Sequence, residues 1–203
     1  MLSRLLLILS IAGCASGPVA LAAKSASNVT VNATEILTVE VPEGWQIRVD
    51  RTVGNLQMAE YYPANATEDW AQKLSIEALS GDDLADPIDF VLDLAAQQSR
   101  VCNNFTDSGI FSGFENGYAT TVHMMQCGQN KNTGRDVVTV VKVIQANESL
   151  YTITRIWRLP PPAPPLASDT INIDQNEVAA WSQALRKVIV CDTQLAAHSC
   201  TKN

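Results

Sequence analysis

The stretch that decides the fold is Asp136-Val-Val-Thr-Val-Val-Lys-Val-Ile-Gln-Ala-Asn-Glu-Ser-Leu-Tyr-Thr-Ile-Thr-Arg-Ile-Trp-Arg-Leu159. It contains two runs rich in β-branched residues, Asp136–Ala146 and Leu150–Leu159, separated by the short polar turn Asn147-Glu-Ser149. Two such runs joined by a tight turn predict a pair of antiparallel strands. A doubly wound parallel sheet is excluded here, because parallel neighbours need a long crossover connection.

The same pattern extends toward the N-terminus of this stretch. Ile110–Phe114 and Tyr118–Cys127 flank Asn116-Gly117, which is a strong signal for a β-hairpin. The polar loop 128–135 then leads into the strand at Asp136. The sequence therefore predicts four strands in series, an antiparallel meander.

Four more strand candidates occupy the first half of the chain. Turn residues such as Pro42, Gly44 and Pro63 separate them, and the segment Asp50–Asn55 is expected to be a hairpin loop. Their alternating apolar residues are typical of half-buried strands. The predicted strands are Ile36–Val41, Trp45–Val49, Leu56–Tyr62 and Lys73–Leu79.

Two helices are predicted from capping signals. Asp86-Pro87 opens a helix that should run to about Arg100, since Asp can cap and Pro suits the first helical position. Asp174, followed three residues later by Glu177, is a capping-box pattern that opens the amphipathic run Val178–Val188. We expect an α+β fold, with one antiparallel sheet of about six to eight strands and two main helices packed on it. Pro160–Pro165 is expected to be a stiff spacer before the last helix.

Composition narrows the function classes. The chain has 203 residues, of which 46% are hydrophobic, so most of it can build a core and is not disordered. The 21 Asp and Glu outnumber the 14 Lys and Arg, which argues against nucleic acid and anionic lipid as ligands. We expect one domain over residues 35–203, preceded over 24–34 by a flexible tether or by a tether that leads into a first strand.

The first 23 residues have the pattern of an export signal. The positive start at Arg4 is followed by the apolar run Leu5–Ile11, which is too short for a membrane span. Two processing positions remain open: before Cys14, which would then be lipidated as in a bacterial lipoprotein, or after Ala22. The expected location is the periplasm, with outer-membrane anchoring through Cys14 under the first alternative.

The remaining cysteines, Cys102, Cys127, Cys191 and Cys200, form an even set in an exported chain, which predicts two disulfides. Three connectivities are possible. We favour the local one, 102–127 with 191–200, because each pair flanks one supersecondary unit. A zinc site is disfavoured because the C-x₂-C spacing is absent.

Catalytic and cofactor signatures are weak. His123 lies in a predicted strand. The segment nearest to a G-x-S-x-G nucleophile elbow is Gly109-Ile-Phe-Ser-Gly113, in which Ser112 is one position away from the required place. His198 lies in the expected 191–200 loop. We assign no catalytic residue, no metal ligand and no cofactor.

Several segments together resemble a group of uncharacterised exported proteobacterial proteins. These segments are Glu68-Asp-Trp70 before Leu74-Ser-Ile76, Asn116-Gly-Tyr118 before Cys127, Ser149-Leu-Tyr151 before Arg155-Ile-Trp-Arg158, and Val190-Cys-Asp-Thr193 before His198-Ser-Cys200. The resemblance spans roughly residues 42–200 and implies export and paired cysteines. More loosely, Pro42-Glu-Gly-Trp45, the antiparallel sheet and the Trp181 helix resemble PsbP-like α/β sandwiches, which are mostly binding and accessory domains.

These observations favour a non-enzymatic binding module of the bacterial cell envelope. Its expected partner is another envelope or secreted protein, for example a toxin neutralised by an immunity-type inhibitor. Two alternatives stay open. One is an envelope hydrolase that uses His123, and the other is a small-ligand carrier with its pocket between sheet and helices. The sequence leaves the oligomeric state open.

Overall fold

The computed structural model describes residues 26–30, 34–160, 171 and 173–200. The predicted export signal with Cys14, the first residues of the predicted tether and residues 161–165 of the proline run lie outside these ranges. The described strands are β1 (Ala26–Thr30), β2 (Glu35–Glu40), β3 (Trp45–Val53), β4 (Leu56–Pro63), β5 (Gln72–Ser80), β6 (Cys102–Glu115), β7 (Tyr118–Asn130), β8 (Val137–Gln145), β9 (Ser149–Arg158) and β10 (Ile189–Asp192). The described helices are α1 (Pro87–Val101), α2 (Gln175–Leu185) and the 3₁₀ turn Ala196–His198.

Seven of the described strands form one antiparallel sheet in the order β3-β4-β5-β9-β8-β7-β6. Strands β6 to β9 follow one another in the chain, and each pairs with the next, as the predicted meander requires. The predicted Asn116-Gly117 hairpin is present, with both residues at positive φ. The expected α+β class with two α-helices and a large antiparallel sheet is confirmed for the described residues.

The expectation of a single sheet is wrong. β2 pairs with β1 on one side and β10 on the other, which makes a second, three-stranded antiparallel sheet. The turn Pro42–Gly44 separates β2 from β3, and Gly44 has a φ of 75°. Because Pro donates no backbone hydrogen bond and Gly allows this φ, the chain changes sheet at this turn. Residues 26–30, expected to be part of a tether, form β1 of this second sheet.

Several boundaries differ from the predicted ones. β6 begins at Cys102, directly after α1, whereas the sequence predicted a strand only from Ile110. β3 continues to Val53, so the expected hairpin loop shrinks to a turn at Gly54-Asn55. α2 ends at Leu185 rather than Val188. Lys142 on β8 explains this end, because its Nζ donates to the main-chain oxygens of Leu185 and Val188.

The helices cover opposite faces of the large sheet. α1 packs over β6, β7 and β8, where Val91 and Ala95 contact a buried cluster with Met125, Val141 and Leu150. α2 and the small sheet cover the other face with Trp181, Leu185 and the β2 side chains Leu37 and Val39. Both predicted N-caps are present, since Asp86 accepts from the Ile88 amide at 2.7 Å and Asp174 from the Asn176 amide at 2.9 Å. The Glu177 side chain of the predicted capping box bonds to Arg155 and Trp157 instead. None of the helices in the described ranges is long and apolar enough to cross a membrane.

Two disulfides are present, Cys102–Cys127 and Cys191–Cys200. The first links the start of β6 to β7 at the exit of α1. The second closes the C-terminal segment that follows β10. Their sequence separations are 25 and 9 residues.

Candidate functional site

A groove lies where the two sheets meet α2. Its walls come from the end of β2, the turn before β3 and the exposed side of α2, and its volume is about 400 Å³. This is within the range of pockets that hold small ligands. Val41, Pro42, Trp45, Ala180 and Ala184 make most of the lining apolar.

The inner end of the groove is formed by Arg155, a charged residue in the protein core. Alternation along β9 places Arg155 on the same face as Tyr151, Ile153 and Trp157, toward α2 and the small sheet. Only 5% of Arg155 is exposed. The strand pattern therefore forces a cation into an apolar layer, and its surroundings have to compensate for the lost hydration.

Three tryptophans surround this guanidinium. Its Cζ lies 4.0 Å from the ring centroid of Trp45, 5.1 Å from Trp157 and 5.6 Å from Trp181. Trp157 and Trp181 are buried, whereas Trp45, at the start of β3, is partly exposed and forms the outer wall. The electron-rich ring faces attract the cation, most strongly where water is excluded.

One side of the Arg155 guanidinium is held by polar partners. Nη2 donates to Gln72 Oε1 at 2.6 Å and to Glu177 Oε1 at 3.0 Å. The same Glu177 oxygen accepts from Trp157 Nε1 at 2.8 Å. Burial lowers the pKa of Arg155, and the Glu177 carboxylate acts in the opposite direction. An arginine keeps its proton under these conditions, so Arg155 is a buried cation paired with a carboxylate that is 34% exposed.

Other donors in this cluster have no acceptor. Arg155 Nε, Arg155 Nη1 and Trp181 Nε1 are buried and make no hydrogen bond to any described residue. A buried donor without an acceptor costs about 1–3 kcal/mol, and native proteins rarely keep several together. Both side chains line the groove. The donor atoms are themselves shielded from solvent, so a ligand that supplies hydrogen-bond acceptors reaches them only when the side chains that cover them move.

The charges around the groove are nearly balanced. Glu177 is paired with Arg155, and Glu40 forms an ion pair with Lys187 at 3.4 Å. Glu43 is exposed on the rim. The lining thus contains no excess of positive charge that would attract an anion.

His123, the residue of the hydrolase alternative, is buried beneath α1 on the opposite face of the large sheet. It is 1% exposed and pairs across the strands with Ile110 and Val141. Its Nε2 lies 3.7 Å from Asp107 Oδ2, beyond hydrogen-bond distance, and neither ring nitrogen has a hydrogen-bond partner among the described residues. Ser112 lies two positions farther along β6 than Ile110. No serine in the part of the chain that the structure describes is hydrogen-bonded to the His123 ring.

His198, in contrast, makes several contacts. Its ring stacks on Tyr118 with 4.2 Å between centroids, and its Nδ1 lies 2.8 Å from the main-chain oxygen of Asn116. Asn116 Nδ2 donates to Val190 O at 2.8 Å. Burial, followed by the charges of Glu35 and Asp192, raises the pKa of Tyr118 to about 12. The disulfide-closed C-terminal loop is thus fixed on the β6–β7 turn.

A second groove, of about 450 Å³, lies between β6, β7 and the end of α2. Its polar centre is Lys142, which is fully buried and bonded to Glu115 Oε2 as well as to two main-chain oxygens. Burial lowers the pKa of Lys142, and Glu115 raises it. All three hydrogen bonds of the Lys142 ammonium group go to acceptors of this chain, two of them at the end of α2. We therefore assign Lys142 a role in stabilising the end of that helix. Within the described ranges, no group of His, Cys, Asp and Glu side chains is arranged to hold a metal ion.

Sequence reasoning did not identify the Arg155 cluster as a site. The sequence did contain a signal. Every second residue of β9 faces the core, and this series contains Arg155 at a position where an apolar residue is expected. The tryptophans that surround Arg155 come from distant parts of the sequence, and only the fold brings them together.

The chain was compared with known proteins. No protein-family model matches it, and neither does any curated protein. Similar solved structures include the Ran-binding protein Mog1p of Saccharomyces cerevisiae, with 14% identity and a TM-score of 0.42 over 79% of this chain and 85% of that chain. A Pseudomonas aeruginosa protein of unknown function, PA94, has 16% identity and a TM-score of 0.41 over 81% and 96%. LpqN, involved in cell envelope biogenesis of Mycobacterium tuberculosis, has 12% identity and a TM-score of 0.43 over 80% and 86%. Identities of this size bear on the fold alone.

Proposed function

We propose that the protein is an exported binding module of the bacterial cell envelope, that it performs no catalysis, and that its binding site is the groove at Arg155. The partner is another envelope or secreted protein. The single observation that carries this proposal is the set of three buried, acceptor-free donors on Arg155 and Trp181, in side chains that line a groove of about 400 Å³. A ligand that displaces the side chains covering these donors would supply their missing hydrogen bonds.

Export is supported by the disulfides. Both Cys102–Cys127 and Cys191–Cys200 need an oxidising compartment to form and persist. The apolar N-terminal run and its two processing positions, before Cys14 or after Ala22, agree with this location. Lipidation of Cys14 remains part of the proposal.

The groove supports a binding function better than the hydrolase alternative. A general base must reach its substrate, whereas His123 lies under α1 with 1% of its surface exposed. The small-ligand carrier alternative uses the same groove, because the pocket lies between sheet and helix as that alternative requires.

The test is capture of a partner from the periplasm of the native host by the tagged full-length chain. Trp181→Phe keeps the apolar ring and removes one unpaired donor, and Arg155→Lys removes the planar guanidinium. We expect both variants to capture less partner than wild type.

Two controls belong to this experiment. Leu92→Ala, on the half-exposed side of α1, and His123→Gln should leave capture unchanged, and circular dichroism should show that every variant is folded. Equal capture by wild type and both groove variants would exclude the groove as the site. Loss of function in a folded His123→Gln variant would favour the hydrolase.

A further inference from the structure

We infer that the Arg155 groove recognises an uncharged amide carbonyl next to an apolar side chain, that is, a peptide segment of the partner protein. The inference rests on the proposed function and names the chemistry of the ligand at that site. The ligand must bring acceptors, since the unpartnered groups are Arg155 Nε, Arg155 Nη1 and Trp181 Nε1, all of which donate.

The charge balance selects among acceptors. A carboxylate would be expected to bind an arginine, but Arg155 is already paired with Glu177 at 3.0 Å. A second carboxylate would lie close to Glu177, whose side chain is 34% exposed, without a further cation to compensate for it. A neutral carbonyl oxygen supplies the same acceptor without the repulsion between two carboxylates.

The groove walls select what surrounds the carbonyl. Val41, Pro42, Ala180 and Ala184 present apolar surface, so the ligand needs apolar groups on both sides of its acceptor. The carboxylate of Glu43, exposed on the rim, can accept the N–H that accompanies an amide carbonyl. A backbone amide that carries an aliphatic side chain meets these requirements together.

The donors can be observed directly, because arginine Nε–H and indole Nε1–H groups give their own resonances in ¹⁵N–¹H NMR spectra. The full chain is titrated with N-acetyl-leucine amide and, separately, with N-acetyl-leucine, which carries a carboxylate at neutral pH. We expect saturable shifts of the Arg155 Nε–H and Trp181 Nε1–H signals with the amide. Binding of the acid should be weaker by about fivefold or more, because of the nearby Glu177 carboxylate.

Trp181→Phe and Trp70→Phe form a matched pair of variants. Trp70 contacts Lys73 and Arg158, which alternate with the core-facing Leu74 and Trp157 and so lie on the other face of the large sheet. Trp181→Phe should weaken amide binding about fivefold through loss of one donor, and Trp70→Phe should not change it. The Trp70 indole signal should also stay in place during the titration.

The outcomes separate this inference from the proposed function. Tighter binding of the acid than of the amide would show an anion site, so the inference would be wrong while the groove would remain a binding site. Absence of shifts with either probe, together with groove-dependent capture of the partner, would likewise overturn the inference alone. If neither probe causes shifts and the groove variants capture as much partner as wild type, both the inference and the proposed function are wrong.

Discussion

Lys142 occupies a position in β8 where the alternation of the strand requires an apolar side chain. Its neighbours on the same face, Val140 and Ile144, belong to the buried core. The end of α2 lies above them, and this helix, which is described in full, has no basic residue in its last turn. Lys142 supplies the missing cation from the sheet, since its ammonium group donates to two main-chain oxygens where the helix dipole is negative.

Replacement of this lysine should therefore be costly. Lys142→Met keeps the apolar stem but removes the donor of the Val188 carbonyl and of the Glu115 carboxylate, whereas the Leu185 carbonyl keeps the Val188 amide at 3.2 Å. We expect the free energy of unfolding to fall by about 2–3 kcal/mol. Urea denaturation measures the change. Lys187→Met is the control: Lys187 is 56% exposed and forms a surface ion pair with Glu40, so its loss should cost at most about 0.5 kcal/mol. Equal effects of the two variants would contradict the assigned role of Lys142.

At the scale of elements, the two disulfides constrain different parts of the fold. Cys102–Cys127 joins the exit of α1 to the end of β7, whereas Cys191–Cys200 closes a loop that β10 and His198 already hold against the rest of the molecule. Chain entropy makes the first bond worth about 3 kcal/mol for its 25-residue separation, and less for the nine-residue one.

The prediction compares two double variants. Cys102→Ala with Cys127→Ala should lower the free energy of unfolding by about 3 kcal/mol, and Cys191→Ala with Cys200→Ala by about 2 kcal/mol. Only the second should also speed hydrogen exchange of the β10 amides, because it releases the loop locally. Denaturant titration and exchange of the same samples measure both effects. The reverse order of stabilities would mean that the C-terminal loop, and not the meander, depends more on its cross-link.

Local signals explain which elements the sequence could predict. The meander and both helices depend on turns and caps a few residues long, such as Asn116-Gly117 and Asp86-Pro87, which are legible in isolation. The second sheet depends on β2 pairing with β10, where Thr38 lies opposite Ile189. No local pattern encodes a pairing between such distant segments, and four residues are too few to predict as a strand.

The contacts of the candidate site also join residues that are far apart in the sequence. Trp45, Arg155 and Trp181 are distributed over two strands and a helix, and their contact depends on the packing of the two sheets with α2. From the sequence, the one available signal was the charge on the apolar face of β9. Each disulfide links segments that are close in the sequence, so the pairing of the cysteines depends less on the long-range fold.

At the scale of the whole molecule, the groove opens at the junction of both sheets with α2. The small sheet contributes the wall at Val41, and the turn that follows it positions Trp45. The net charge of −7 keeps the surface acidic, which agrees with a partner that is neither nucleic acid nor an anionic lipid surface.

Lipidation of Cys14 would attach the protein to a membrane. If Cys14 is lipidated, Cys14→Ser should move the protein from the membrane fraction to the soluble fraction and abolish labelling by an alkyne fatty acid, because a covalent acyl group supplies the membrane affinity. Ala22→Arg is the matched variant: it blocks the alternative cleavage site and should change neither fractionation nor labelling if processing occurs before Cys14. A soluble, unlabelled wild-type protein whose N-terminus is Ala23 would exclude the anchor. The groove would then belong to a freely diffusing exported protein, and the amide-recognition experiment would stand unchanged, since its donors belong to Arg155 and Trp181.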